Sequence, residues 1–445
     1  MKRRRAAVRA LLLFFSMDNP VVPPIRAKSE ATESRENASL LLAHGAPSPL
    51  RSLAMALQAI FARRVFTPHQ EIADAVILTD GEKIAAVGRR DEVSVPASAR
   101  RHDKRDFSAV PGFIDVHIHG AAGYDVMDSS AEALAAISAR VAARGTTSLL
   151  ATTVTASEGA TCRAVESVAA WMERAKAQPP GSRPSAEILG VHFEGPFISH
   201  ARRGVHPEEW IQAPSLSLFR RLLASAKGTA RILTLAPELP GAAELIPEAL
   251  RAGLVVSLGH TDASYAEAKA AISRGARHAA HVFNAMRPFA HRETGVLGAI
   301  LTSPGVTAEL IADGVHVDDA AIRILLAAKG TQGVILVSDG ISATGMPEGR
   351  YRLGTFEVNV VGGVARNSDG KLAGSTLTLD RALRHMVALG ISLREGLPML
   401  TANPARLLGL ERRKGNLISG ADADLVLLDD QLNVTGVMTR GIGLD

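Results

Sequence analysis

Cysteine is all but missing from this 445-residue chain, where Cys162 stands alone. A disulfide within the chain is therefore excluded, and so is any zinc or iron–sulfur centre built from several thiolates. The expected location is a reducing compartment, the cytoplasm. Long apolar runs are missing too, so no membrane span is expected. The opening MKRRRAAVRALLLFFSMD has the charged start of a signal peptide. Yet Arg9 interrupts it, and the uncharged Ala10–Phe15 falls short of the roughly 7–15 apolar residues such a signal needs.

A basic excess is missing where it would matter. Residues 1–54 hold nine Lys/Arg against four Asp/Glu, and the rest of the chain holds 41 of each sign. The formal net charge of +5 thus belongs to the N-terminal segment, and no nucleic-acid partner is expected. A Walker-type phosphate loop is absent, which argues against nucleotide use, and no solenoid repeat is visible. The polar, proline-bearing text after residue 18 resembles a linker. Residues 1–54 are expected to be a disordered extension or an upstream start chosen in error, with Met55 the true beginning.

From Met55 the text becomes strand-like. The TDGEK between DAVIL and IAAVG is a hairpin signal, and similar alternation returns in GNLISGADADLVLLDD and NVTGVMTRG at the other end. A β-sandwich domain is therefore expected from residues 55–110 and 409–445, with a larger domain over 111–408 inserted between its halves. That middle alternates short apolar runs, at 112–118, 148–153, 187–194, 231–236, 255–260, 278–283, 307–312 and 333–339, with Ala-, Leu- and Arg-rich helical text. Several of the helical segments end at glycine, namely Gly145, Gly253, Gly275 and Gly330. Eight strands with helical crossovers predict an α/β fold, a (β/α)8 barrel of the TIM type. The helix after the sixth strand is the weakest.

Such barrels place their chemistry where strands end. In PGFIDVHIHG, His117 and His119 are two apart, and residues at that spacing share a strand face. The third run ends at Glu194, the fifth at His260, and the sixth carries His281 with Asn284 beyond it. The seventh leads to Asp313 and His316, and the eighth ends at Asp339. Any one of these has a bland explanation as a helix cap, an ion pair or a core histidine. Together, His117, His119, His260 and His281 with Glu194 and Asp339, four histidines and two carboxylates at one rim, call for a divalent metal with nitrogen and oxygen ligands. His192 falls one layer deeper, as a satisfied core residue or a supporting group, and His278 precedes the rim. His44, His69, His102 and His385 carry no such pattern.

The motifs PGFIDVHIHG, GVHFEGPF, SLGHTDASY, HVFNAMRPF…HRETG, ADGVHVD, LVSDGISATG and GKLAGSTLT resemble those of N-acetylglucosamine-6-phosphate deacetylases of the amidohydrolase superfamily. The resemblance runs in one order from Met55 to the C-terminus. It implies hydrolysis of the acetamide of N-acetylglucosamine 6-phosphate to glucosamine 6-phosphate and acetate, in amino-sugar catabolism and cell-wall sugar recycling. By that analogy Glu194, His260 and His281 hold the principal metal, and Asp339 is the general base that activates water and then protonates the leaving amine. His206 helps polarise the carbonyl, and Val205 lies beside the sugar. Asn284, Ala285 and His316 contact the sugar phosphate, as does the backbone around Leu372, Ala373 and Gly374. Arg292 reaches the phosphate in a neighbouring subunit, which implies a homodimer. Some family members lack the first-strand histidine pair. Its presence here implies a second ion held by His117, His119, Asp339 and a bridging Glu194. Zinc is the default metal and iron accepts the same ligands. The galacto epimer of the substrate, a cyclic amide, and a non-catalytic scaffold stay open as alternatives.

Overall fold

The computed structural model describes residues 57–67, 70–177 and 184–444. The extension expected over 1–54, with His44, and His69 lie outside them.

The predicted hairpin closes on Gly81 and Glu82, with Asp80 paired to Lys83. Its strands, Glu71–Asp80 and Lys83–Arg89, belong to one seven-stranded sheet with Gln58–Phe66 and Arg100–Pro111. The C-terminal strands Leu425–Leu428, Val434–Thr439 and Ile442–Gly443 complete that sheet. The two chain ends meet where Leu425 pairs antiparallel with Pro111. Alternating inward residues, Ile60, Ile77, Leu425, Leu427 and Met438 among them, form its apolar core. Lys414, only 2% exposed, joins this module to the barrel. Its ammonium lies 2.7 Å from Glu187, at the start of the third barrel strand, 2.8 Å from Asp422 and 2.7 Å from Asp424.

The central domain is the eight-stranded parallel barrel that the periodicity predicts. In order its strands are Phe113–Ile118, Thr146–Thr153, Glu187–Glu194, Ala230–Leu235, Val255–Leu258, His278–Ala279, Thr307–Leu310 and Val334–Leu336. Each pairs with its sequence neighbour. Closure between the first and the eighth comes from Asp339 N–H to His117 O at 2.9 Å and His119 N–H to Gly340 O at 2.8 Å. Ser130 caps the first barrel helix (Ala131–Ala142), and a Ser264–Glu267 capping box starts another (Tyr265–Ser273). The weak helix after strand six is Gly295–Leu301, reached only after a long loop.

Strand six is shorter than the run 278–283 suggested. The backbone leaves the extended region at His281, whose φ is +26°, and Phe283 and Ala285 follow at +80° and +49°. One element has no counterpart in the periodicity reading. A three-stranded meander, Gly349–Leu353, Phe356–Val361 and Val364–Arg366, follows strand eight. It packs Leu353, Val358 and Ala365 with Val154, Ile341 and Ala373 into a separate cluster that Val205 borders.

Candidate active site

Glu194 ends the third strand buried at 2% exposure, and five imidazoles surround its carboxylate. Its Oε1 lies 2.8 Å from His281 Nε2, 3.1 Å from His260 Nε2 and 3.3 Å from His117 Nε2. Its Oε2 lies 3.3 Å from His119 Nε2 and 3.3 Å from His206 Nε2. Asp339 Oδ1 sits 3.2 Å from His119 Nε2 and 3.7 Å from His117 Nε2. Strands one, three, five, six and eight thus deliver their end residues to one point. His206 arrives from the loop after strand three.

The far nitrogens of these rings decide what the near ones offer. His119 Nδ1 is 3.2 Å from Thr152 O, His260 Nδ1 is 2.9 Å from Arg202 O, and His117 Nδ1 is 2.8 Å from the Glu309 carboxylate. Carbonyls and carboxylates only accept, so each Nδ1 carries the hydrogen and a neutral ring turns its Nε2 lone pair inward. Lone pairs facing carboxylate oxygens repel unless a cation lies between them. His117 Nε2 is buried and makes no hydrogen bond among the described residues. Tetrahedral ligation at about 2.1 Å puts ligand atoms about 3.4 Å apart, in the range of the spacings above. The residues present fit a divalent metal.

The charge balance without an ion agrees. Burial opposes charge on His117, yet Glu309 and Glu194 hold its pKa well above the usual histidine range. His119 rises to about 9 in spite of burial, through Asp339 and Glu194. His260 falls to about 4, by burial and then by its neighbour His206. Burial would raise Glu194, but the surrounding imidazoles hold it well below the usual carboxylate range. The carboxylates favour positive charge at His117 and His119 against the cost of burial, as they would favour a bound cation.

A cavity of about 190 Å³ opens over this centre. Val205, His206, Asn284, Ala285, His316, Asp339, Leu372 and Gly374 line it, so most of the expected substrate contacts share one space with the histidines. Ala373 does not, because its methyl is buried in the meander cluster. His316 is oriented by Asp313, whose Oδ2 lies 2.7 Å from its Nδ1. Gly374 has φ +55°, and a Cβ there would stand 2.4 Å from Ile341 Cγ2 and 2.9 Å from Asp339 O. Only glycine lets this loop pass so close to the strand-eight end. His260, His281 and Asp339 are themselves non-glycine residues at positive φ, the strained backbone that clusters at functional sites.

Arg292 is exposed and lines no part of this cavity. His192 is satisfied within the barrel, by Val116 O at 3.0 Å and Thr234 Oγ1 at 2.7 Å. The sequence reading passed over Glu309, Val154 and Leu353. Val154 and Leu353 are cavity walls. The signal for Glu309 was an acidic residue within the apolar run TAELIA.

The model of the amidohydrolase family matches residues 108–442. The N-acetylglucosamine-6-phosphate deacetylase of Bacillus subtilis is 38% identical over 378 residues, covering 85% of this chain and 94% of its own. The N-acetylgalactosamine-6-phosphate deacetylase of Escherichia coli O157:H7 is 36% identical, with 85% and 97% covered. A solved structure of a mutant N-acetyl-D-glucosamine-6-phosphate deacetylase from Mycobacterium smegmatis, in complex with N-acetyl-D-glucosamine-6-phosphate, superposes with a TM-score of 0.80. It is 36% identical and covers 87% of this chain and 99% of that one. Through its fold, its ring of histidines about Glu194 and these relatives, the chain belongs to the amidohydrolase family and, within it, to the N-acetylglucosamine-6-phosphate deacetylases.

Proposed function

We propose that this chain hydrolyses the N-acetyl group of N-acetyl-D-glucosamine 6-phosphate, releasing acetate and D-glucosamine 6-phosphate. The observation that carries the reading is the convergence of His117, His119, His206, His260 and His281 on one buried carboxylate, beneath a cavity lined by hydrogen-bonding groups. Glu194, His260 and His281 would hold one ion. His117, His119 and Asp339 would hold a second, with Glu194 bridging, and zinc is our assignment from ligand type. A divalent ion bound there supplies Lewis acidity, which polarises the amide and acidifies water.

The chain's own groups do the rest. Asp339 takes a proton from the attacking water and returns it to the departing amine. Thr155 N–H donates to His206 Nδ1 at 3.3 Å, so the neutral ring keeps its hydrogen on Nε2. That hydrogen is available to the carbonyl oxygen as negative charge grows on it. Asn284 and His316 offer donors to the phosphate. The walls of Val154, Val205, Leu353 and Leu372 keep bulk water from the reacting amide. The single cysteine supports a cytoplasmic location.

Activity is expected to need the phosphate, because binding energy at a remote group can be used to lower the barrier at the amide. Steady-state kinetics with N-acetylglucosamine and its 6-phosphate tests this. We expect kcat/KM to fall at least about 100-fold without the phosphate, the scale of losing charge-assisted contacts. Equal values would refute the substrate assignment.

Arg292 is exposed here, which supports its acting on a neighbouring subunit's substrate. Arg292→Ala should raise KM about 10-fold or more and leave metal content unchanged. Mixed with Asp339→Asn under random subunit exchange, it should regain activity, towards about a quarter of wild type, because one of the two sites in each heterodimer is intact. The assay is run at substrate far below the raised KM, where Arg292→Ala alone is nearly silent. Verified heterodimers without recovery would remove the shared-site reading.

A further inference from the structure

Glu309 is a carboxylate in the middle of strand seven, wholly buried inside the barrel at 0% exposure. Three donors converge on it from two other strands. Its Oε2 lies 2.8 Å from His117 Nδ1 and also accepts the backbone N–H of His281 at 3.1 Å. Its Oε1 lies 2.8 Å from His278 Nε2, and His278 Nδ1 lies 2.7 Å from Thr307 Oγ1. One side chain therefore braces strand one and strand six from behind.

The rings it braces differ from their neighbours. His119 and His260 rest their Nδ1 on neutral backbone carbonyls, whereas His117 rests on a charge. His281 Nδ1 is buried without a hydrogen-bond partner among the described residues. Apart from its near nitrogen, this residue is held through its own backbone, at φ +26°: Glu309 accepts its N–H, and its carbonyl accepts from Asn284. A carboxylate behind a ligating imidazole fixes the tautomer, aims the ring and raises its basicity.

We propose that Glu309 is a positioning residue for the metal centre: it fixes the Nδ1–H tautomer of His117 and pins the backbone that presents His281. One residue thereby serves both halves of the centre, on either side of Glu194. The inference rests on the metal-dependent reading above. It concerns how tightly metal is held, and it needs no assumption about the sugar.

The test compares wild type with Glu309→Gln and Glu309→Met, each stripped by chelation and refilled with zinc against a chromogenic competitor. Cobalt(II) absorption spectra and melting curves in chelator run alongside. Glutamine keeps the shape and one acceptor oxygen but removes the charge, so zinc affinity should fall by about 10–100-fold. Its metal-free melting curve should stay close to that of wild type, and its cobalt bands should shift as His117 relaxes. Methionine removes every acceptor and should lose more affinity. Should the methionine variant not fold, the glutamine variant decides alone. A glutamine variant that binds zinc within about twofold of wild type, with an unchanged cobalt spectrum, overturns the proposal. So does one that is unfolded without metal where wild type is not, since Glu309 is then a structural brace. A wild type that takes up no metal overturns both this proposal and the functional reading, whereas tight wild-type binding with no deacetylation overturns only the latter.

Discussion

Asp339→Asn is expected to lower kcat by about 10²–10⁴-fold, the usual worth of a positioned general base, while the protein stays folded and keeps its metal. Asparagine has the shape of aspartate, and its carbonyl oxygen still faces His119 from the end of strand eight. It cannot take up a proton at neutral pH. Glu194, His260 and His281 are untouched by the change, so metal content measured on the purified variant should match wild type at the principal position. The substrate's KM should move little, because the phosphate and sugar contacts remain. A variant with near-normal kcat would place the base elsewhere, and one that lost all its metal would make Asp339 chiefly a ligand.

His281→Ala is expected to fail in a different way. It deletes the ring nearest Glu194, at 2.8 Å, and with it one nitrogen of the proposed ligand set. Metal and turnover should fall together, with activity reduced at least about 100-fold, since several kcal/mol of charge stabilisation leave with the ion. His260→Ala should behave alike. Added zinc should restore part of the activity of the histidine variants and none of that of Asp339→Asn. Elemental analysis beside kinetics separates the cases. A His281→Ala protein that holds metal as wild type does would remove that residue from the ligand set.

Much of this centre was legible because barrel geometry makes position informative. A strand end can be located from apolar periodicity without regard to what stands there, and His117, His119, Glu194 and His260 were all found in that way. His281 was found beyond a strand of only two residues, since the run HAAHVF is apolar whether or not its backbone stays extended. His206 could not be reached by that route. It lies in a loop twelve residues past Glu194, and resemblance alone singled it out.

Glu309 was missed for the opposite reason. It lies on a strand one layer below the rim, where an acidic residue has no role until its partners from strands one and six are known. The meander over 349–366 was missed although RYRL and FEVNVV alternate at period two, because the barrel reading rests on continuous apolar runs, whereas these strands turn one face to solvent. Its contribution, the Leu353 wall of the cavity, depends on packing against Val154, just past the end of strand two. Periodicity records neither contact.

The most direct test of the central claim is acetate release by the purified, metal-loaded protein, followed together with free amine on N-acetylglucosamine 6-phosphate and, in parallel, on its galacto epimer. The account predicts one acetate per amine from the gluco sugar, loss of the reaction on chelation and its return with a divalent ion, and a higher kcat/KM for gluco than for galacto. Faster turnover of the galacto sugar would move the assignment to the epimer. Release that continues in the metal-free protein, or none from either sugar with metal in place, would contradict the account.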